Sequence, residues 1–222
     1  MTVSIKISAE LAGLCPQTAL GILIYDVDVA PSSNELLAEF DKLIAELSNE
    51  YKLETVAKNI HIASTRKAYK ALGKSPQEYR CAAEAMLRRI AKGTGLYRIN
   101  NVVDVNNIIS ISSGYSIGSY DIGTLHGTVE LKRAEDGAHY GGIGKKSVNI
   151  GRLPVLFDDD GPFGNPTSDS TRAMIAEGHH TVMSVIYGFD GTEGLENWIS
   201  QYADLLKRFC GVQNIETKII TA

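Results

Sequence analysis

"NVVDVNNIISISSGYSIGSYDI", Asn101 to Ile122, is where the reading of this chain turns. The run sets asparagines, aspartates and serines among Val and Ile. Apolar side chains drive burial, whereas a buried amide or carboxylate without a partner costs roughly 1–3 kcal/mol. The segment is therefore either a polar network that ties a core together or the wall of a pocket. As a helix, it puts Val102, Val105 and Ile109 on one face, with Asn107 beside Asp104 and both directed at a cleft. As a strand, it aligns Val105, Asn107, Ile109 and Ile111. Periodicity does not separate the two. From Gly114 to Asp121 the character changes. Gly114 and Gly118, four apart, suit backbone that must approach something closely. Tyr115, Ser119 and Asp121 add a stacking face, a hydroxyl and an acceptor. The alternative is a tight connector in which Asp121 caps the next turn.

Outside this stretch, periodicity is clearer. Alternation predicts strands at Val3–Ser8, Ala19–Val29, Val129–Arg133, Ser147–Ile150, Leu153–Phe157, His180–Phe189 and Ile215–Thr221, with Ala138–Tyr140 a further candidate. A capping box, Ser32-Ser33-Asn34-Glu35, opens a helix with Leu36, Leu37, Phe40, Leu43, Ile44 and Leu47 on one face. Residues 54–72 read as helix up to Gly73. Ser75-Pro76-Gln77-Glu78 predicts the start of another, with Tyr79, Ala83, Met86, Leu87 and Ile90 inward and Lys92-Gly93 as its close. Leu195 to Phe209 is strongly amphipathic and stops at Gly211. Helices gather in the first half and strands in the second, with a strand at each end. That predicts an α+β fold with a mixed or antiparallel sheet packed by helices.

The 222 residues are 44% hydrophobic and 22% charged, as in an ordinary globular protein. No apolar run approaches the roughly 18–20 residues that span a bilayer, and the N-terminus lacks a signal-like apolar region. Three isolated cysteines, Cys15, Cys81 and Cys210, give no zinc or CxxC framework and fit a cytoplasmic location. The net charge of −4 conceals an asymmetry: Arg66 to Arg98 carries nine basic residues and two acids. A basic belt on an acidic chain suits a polyanion partner, although Arg80, Glu84 and Arg88 at i, i+4 spacing can pair with one another.

Asp158-Asp159-Asp160 precedes a Gly/Pro-rich segment to Arg172 that reads as too long for a hairpin turn. The aspartates lack the spacing of a calcium loop, so no metal is expected. Thr167, Ser168, Ser170 and Thr171 offer hydroxyls, and Arg172 a planar cation. A self-satisfied loop, with Asp169 accepting its own backbone amides, is the plainer reading. His179 and His180, adjacent on a strand, face opposite ways and do not ligate together. Motifs of serine hydrolases, zinc proteases, P-loops and dinucleotide folds are absent, and no cofactor is expected.

Three segments together resemble a known family: "LRRIAKGTGLYRINNVVDVNN" (87–107), "GYSIGSYDIGTLHGTVELKRAEDGAHY" (114–140) and "PVLFDDDGPFGNPTSDSTR" (154–172). They are similar to the B3/B4 domain of the phenylalanyl-tRNA synthetase β chain. The resemblance implies a single B3/B4-like domain over 1–222. Within it, 1–63 is a framing segment, 64–190 the core, and 191–222 a C-terminal helix and strand. It implies a helix over 101–112, recognition of the aminoacylated 3′ end of tRNA, and hydrolysis of mischarged tRNA. Its pocket positions fall on Asn106, Asn107, Gly118 and Ser119, with Gly164, Asn165, Thr167 and Ser168 opposite. Tyr115, Asp121 and Asp169 join this set as stacking and polar groups. Arg88, Arg89, Lys92 and Arg98 would hold RNA phosphates. Two departures stand out: Gly118 replaces the family's histidine, and Asn165-Pro166 replaces the glutamate that reads a tyrosine hydroxyl. Asp169 is the nearby substitute. Three functions follow: a trans-editing aminoacyl-tRNA deacylase, an RNA-binding module without catalysis, or a small amino-acid binder that has lost tRNA. Phenylalanine ligation is not expected of this chain alone.

Overall fold

The structure, a computed structural model, describes residues 3–222. In chain order the elements are β1 (Ile5–Ile7), α1 (Ala9–Leu14), β2 (Ala19–Val29), α2 (Asn34–Glu50), α3 (Ile60–Ala71), α4 (Ala82–Ala91) and α5 (Asn101–Ser113). Then follow β3 (Ser116–Asp121), β4 (Val129–Arg133), β5 (His139–Gly142), β6 (Lys145–Asn149), β7 (Pro154–Asp158), β8 (Gly161–Gly164), β9 (Gly178–Gly188), α6 (Leu195–Cys210) and β10 (Ile215–Thr221). The fold is α+β, as the distribution of patterns predicts.

Two four-stranded sheets carry it. One is antiparallel in the order β10-β2-β9-β3; the other runs β1-β4-β7-β8, with β1 parallel to β4. β5 and β6 form a separate hairpin. The spine is the pairing of β2 with β9 from Ala19↔Gly188 to Val29↔Gly178. The first sheet draws its strands from all parts of the chain, because β2 lies before residue 63 and β10 after 190. Alternation divides its two faces. Leu23, Tyr25, Val27, Ile117, Val182 and Ile186 pack with the helices. Leu20, Ile22, Tyr120, Met183, Val185 and Tyr187 pack with Leu131, Leu156 and Phe163 of the second sheet.

α5 is the central helix, buried on nearly every side, so its polar side chains must find partners inside the protein. Most do. Asn100 accepts from the Val103 amide at 2.8 Å and caps the helix. Asn101 donates to Asp28 O at 3.0 Å and accepts from the Ala30 amide at 3.0 Å, gripping the end of β2. Asp104 accepts from Ser32 Oγ at 2.7 Å and the Ile99 amide at 3.1 Å. Burial raises its carboxyl above the usual range, against these lowering contacts. Ser110 donates to Tyr115 O, and Ser113 to Ile109 O, both at 2.7 Å. Gly114 ends α5 at φ +88°, where a Cβ would run into Asn59.

Several local expectations are corrected. Ser33, not Ser32, is the N-cap of α2, since Ser32 is turned to Asp104. Residues 54–72 split into a short 3₁₀ turn and α3, because Asn59 caps α3 through the amides of His61 and Ile62. Ser75-Pro76-Gln77-Glu78 closes one turn, Tyr79 N to Ser75 O at 3.0 Å, but α4 begins only at Ala82. Arg66 takes the Pro76 carbonyl, and Tyr79 lies over the Lys74 ammonium, so the turn is held away from the helix axis. Residues 116–121 form a strand rather than a connector. The three aspartates turn a tight β7–β8 hairpin, with Asp158 paired to Gly161. Asp104 faces the α2 entry, not a cleft.

Removing the Asn101 side chain (Asn101→Ala) strands the Asp28 carbonyl and the Ala30 amide. We expect a loss of roughly 2 kcal/mol of stability, read by urea denaturation as a lower midpoint at unchanged slope.

Candidate functional site

β3 and β8 face each other across the space between the sheets, bringing Gly118 and Gly164 to opposite sides of one ring, that of Tyr120. A Cβ at either glycine would overlap the Tyr120 phenol oxygen. Tyr120 packs edge-on to Phe163, with ring centroids 5.0 Å apart. Its hydroxyl donates to Asp169 Oδ1 at 2.7 Å and accepts from the Tyr187 hydroxyl at 2.7 Å. The open groove expected between the two glycine-bearing segments is thus occupied by the protein's own phenol. Nothing in the sequence between the glycines announces this, because Tyr120 folds back along its own strand over Gly118, two residues earlier.

The loop after β8 is closed on itself. Asn165 Oδ1 accepts from the amides of Thr167 (2.7 Å) and Ser168 (3.1 Å). Its Nδ2 donates to Tyr140 Oη at 2.5 Å and Ser168 O at 3.1 Å. Thr167 meets the Tyr69 hydroxyl at 2.8 Å. Asp169 Oδ1 also accepts from the Asn165 amide at 3.1 Å. Desolvation pushes the Asp169 carboxyl up to about 7, against the lowering effect of the Tyr120 and Asn165 hydrogen bonds. The tyrosine hydroxyl that Asp169 meets is that of Tyr120.

The other expected pocket residues do not line this space. Ser119 points to the helical side of β3 and joins a hydroxyl cluster with Ser184 (2.9 Å), Tyr202 and Tyr25. Asn106 donates to Ile117 O at 3.5 Å, and its buried Oδ1 lacks a partner among the described residues. Asn107 is half-buried and Tyr115 fully buried. The Tyr115 ring stacks on His61 at 3.7 Å and is no free stacking face. Asp121 caps the following turn through the Gly123 amide and pairs with His180 at 2.9 Å. Arg172 is committed to Asp158, with two contacts of 2.7 and 3.1 Å. Burial pushes the Asp158 carboxyl up, but Arg172 and the His126 amide outweigh it and hold it below the usual range. Asp158, His126 and Asp160 have donor atoms within 4.8 Å of one another. The guanidinium on Asp158 already supplies the charge a cation would bring.

The basic belt is largely engaged as well. Arg66 and Arg80 both meet the buried Glu84. Arg88 donates to Leu53 O at 3.2 Å. Arg98 pairs with Asp41 and lies over the Phe40 ring. Arg89 donates to Gly95 O at 3.1 Å and sits 4.7 Å from the centre of the Tyr97 ring. Tyr97 is 70% exposed. Lys92, at the C-terminal end of α4, is exposed, as are Lys67 and Lys70 on α3, where Lys67 lines a hollow with Leu14 and Phe189. In the sequence, Tyr97 carries one signal: it is an aromatic residue in a short polar loop within the basic segment.

A family model described as the B3/4 domain matches residues 64–209. The chain belongs to the B3/4 domain family. A solved N-terminal fragment of the phenylalanyl-tRNA synthetase β-subunit from Pyrococcus horikoshii is similar to it at 14% identity and a TM-score of 0.46. The match covers 99% of this chain and 51% of that one, so the chain spans about half of the fragment's length. No curated protein matches. In this B3/4 chain no helix of the described residues is long and apolar enough to cross a membrane.

Gly118→Ala should destabilise the fold by about 1–3 kcal/mol through overpacking. In a Tyr120→Ala background the same change should cost much less. A double-mutant cycle by chemical denaturation measures this coupling. A carboxyl raised from its unfolded value near 4 to about 7 binds more protons in the native state between those limits. Asp169 therefore contributes stability that is fully present below pH 4 and lost as pH rises through 7. Asp169→Asn should flatten the fall in unfolding free energy across that window, measured by denaturation at successive pH values.

Proposed function

We propose that this B3/4-family protein binds RNA, at the 3′ end of tRNA, without hydrolysing an aminoacyl ester there. The exposed Tyr97 ring with the Arg89 guanidinium against it carries this reading. An aromatic face beside cations suits an unpaired nucleotide, because every base has a π-face and every linkage a phosphate. Lys92, exposed three residues after Arg89, adds a charge for a phosphate, and Arg98 holds the loop before it through Leu96 O and Asp41.

Hydrolysis needs a positioned water and donors aimed at the developing oxyanion. Between Gly118 and Gly164 that volume holds Tyr120. The same occupancy disfavours an amino-acid pocket, and of Asn107, Asp121 and Arg172, the side chains with the chemistry to hold an amino and a carboxylate group, Asp121 and Arg172 are paired to His180 and Asp158.

Filter binding of tRNA across a salt series tests the reading. Tyr97→Ala should weaken binding by about 1–3 kcal/mol, and Lys92→Ala should reduce the log–log salt slope by about 0.7–0.9. A panel of mischarged tRNAs should show no ester loss above the uncatalysed rate. Turnover on any of them would make the protein a deacylase, and absence of salt-sensitive binding would remove RNA altogether.

A further inference from the structure

The strand β10 forms one edge of the antiparallel sheet, and among the described residues nothing pairs with its outer side. Seven residues, Ile-Glu-Thr-Lys-Ile-Ile-Thr, make it a strong β-former with its middle, Glu216 to Lys218, exposed. We propose that this edge joins a second copy of the same chain by antiparallel strand pairing, about a two-fold axis at Thr217.

The backbone fixes which groups are free. The Ala222 amide donates to Thr18 O at 3.0 Å, continuing the register of Ile215↔Tyr25 to Thr221↔Ala19. Hydrogen-bonded and non-hydrogen-bonded pairs alternate along an antiparallel ladder. Even-numbered residues of β10 therefore direct their amides and carbonyls at β2. Ile215, Thr217, Ile219 and Thr221 direct theirs outward. An axis at Thr217 sets Thr217 opposite its copy and Ile215 opposite the partner's Ile219, so outward groups meet outward groups.

Charge selects this register over its neighbours. With the axis at Thr217, Glu216 falls opposite the partner's Lys218, and Lys218 opposite the partner's Glu216. Both are non-hydrogen-bonded pairs, whose Cα atoms approach to about 4.5 Å and whose side chains lie closest. An axis at Glu216 sets carboxylate against carboxylate; an axis at Lys218 sets ammonium against ammonium. A lysine on an edge strand ordinarily blocks pairing. Here the glutamate two residues before it makes the edge self-complementary.

The helical side fits the same operation. A trough of about 700 Å³ runs between α6 and β10, lined by Ile199, Ser200 and Ala203 of the helix and Ile215, Thr217 and Ile219 of the strand. Glu196 and Lys207 stand near its two ends. The two-fold makes the helices antiparallel, so the Glu196 end of one lies toward the Lys207 end of the other.

Gel filtration with light scattering over a dilution series reads the outcome. The unmodified protein should show twice the mass of one chain at high concentration. Glu216→Lys and Lys218→Glu should each weaken the dimer by about tenfold or more, with circular dichroism unchanged. Mixing the two variants should restore it, since each supplies the charge the other lacks. Thr217→Pro should also give monomer, because the amide it removes points outward and leaves the β2 ladder intact. A monomer at every concentration, a dimer indifferent to both charge reversals, or a mixture that stays monomeric would overturn the proposal.

Discussion

The phenol of Tyr120, clasped between Gly118 of one sheet and Gly164 of the other, sets the spacing on which the rest of this fold depends. Side chains normally hold two packed sheets about 10 Å apart. At this point two glycines give up their volume so that one ring can cross the gap. The ring's hydroxyl then needs partners, because an unpaired buried hydroxyl opposes folding. Tyr187 and Asp169 supply them. Asp169 is in turn placed by the loop after β8, which Asn165 folds tightly with its side-chain amide. Ring, glycines, carboxyl and loop form one unit, and a change in any member alters the fit of the others.

A second polar system works on the other face of the same sheet. The side chains of α5 would be a liability in a buried helix, yet most reach the backbone of its own ends or of β2. They fix where α5 sits along the sheet, and with it the position of Ser116–Asp121, which follows directly. The two systems meet through β3: its helical face carries Ser119 and its inter-sheet face carries Gly118 and Tyr120. The alternation of a strand sends adjacent residues to opposite sides, which is why Gly118 and Ser119 do not share one pocket.

Much of this was legible in the chain. The eleven-residue strand β2, the long β9 and the amphipathic α2 and α6 follow their periodicity closely. The family resemblance over residues 87–172 points to the same B3/4 domain that the family match covers. The site was harder to read. Gly118 and Gly164 are brought together as expected, but the occupant of the gap is decided by side-chain direction, which spacing does not carry. Tyr115 reads as an exposed aromatic and is buried, because His61, from a helix far earlier in the chain, stacks on it. Arg172 reads as a free cation and is claimed by Asp158 across a hairpin that its Gly/Pro content disguised. Ser75-Pro76-Gln77-Glu78 has a helix start's residues, yet tertiary contacts to Arg66 and Lys74 stop it after one turn.

The occupied gap also bears on how strongly any ligand could bind there. For a guest to enter between Gly118 and Gly164, Tyr120 must swing out and leave its contacts with Phe163, Tyr187 and Asp169. Emptying a site of that size in a packed core costs about 3–5 kcal/mol when the ring is deleted outright. An equilibrium opening of similar cost would leave the open form at roughly one part in 10² to 10⁴. A guest's apparent affinity falls by the same factor, so an amino-acid side chain that binds an open pocket at micromolar concentration would bind this one only near millimolar. The exposed Arg89–Tyr97 surface carries no such penalty, because its aromatic face is already in solvent. A tRNA 3′ end bound as proposed would for that reason gain its contacts from the nucleotide and not from a residue esterified to it.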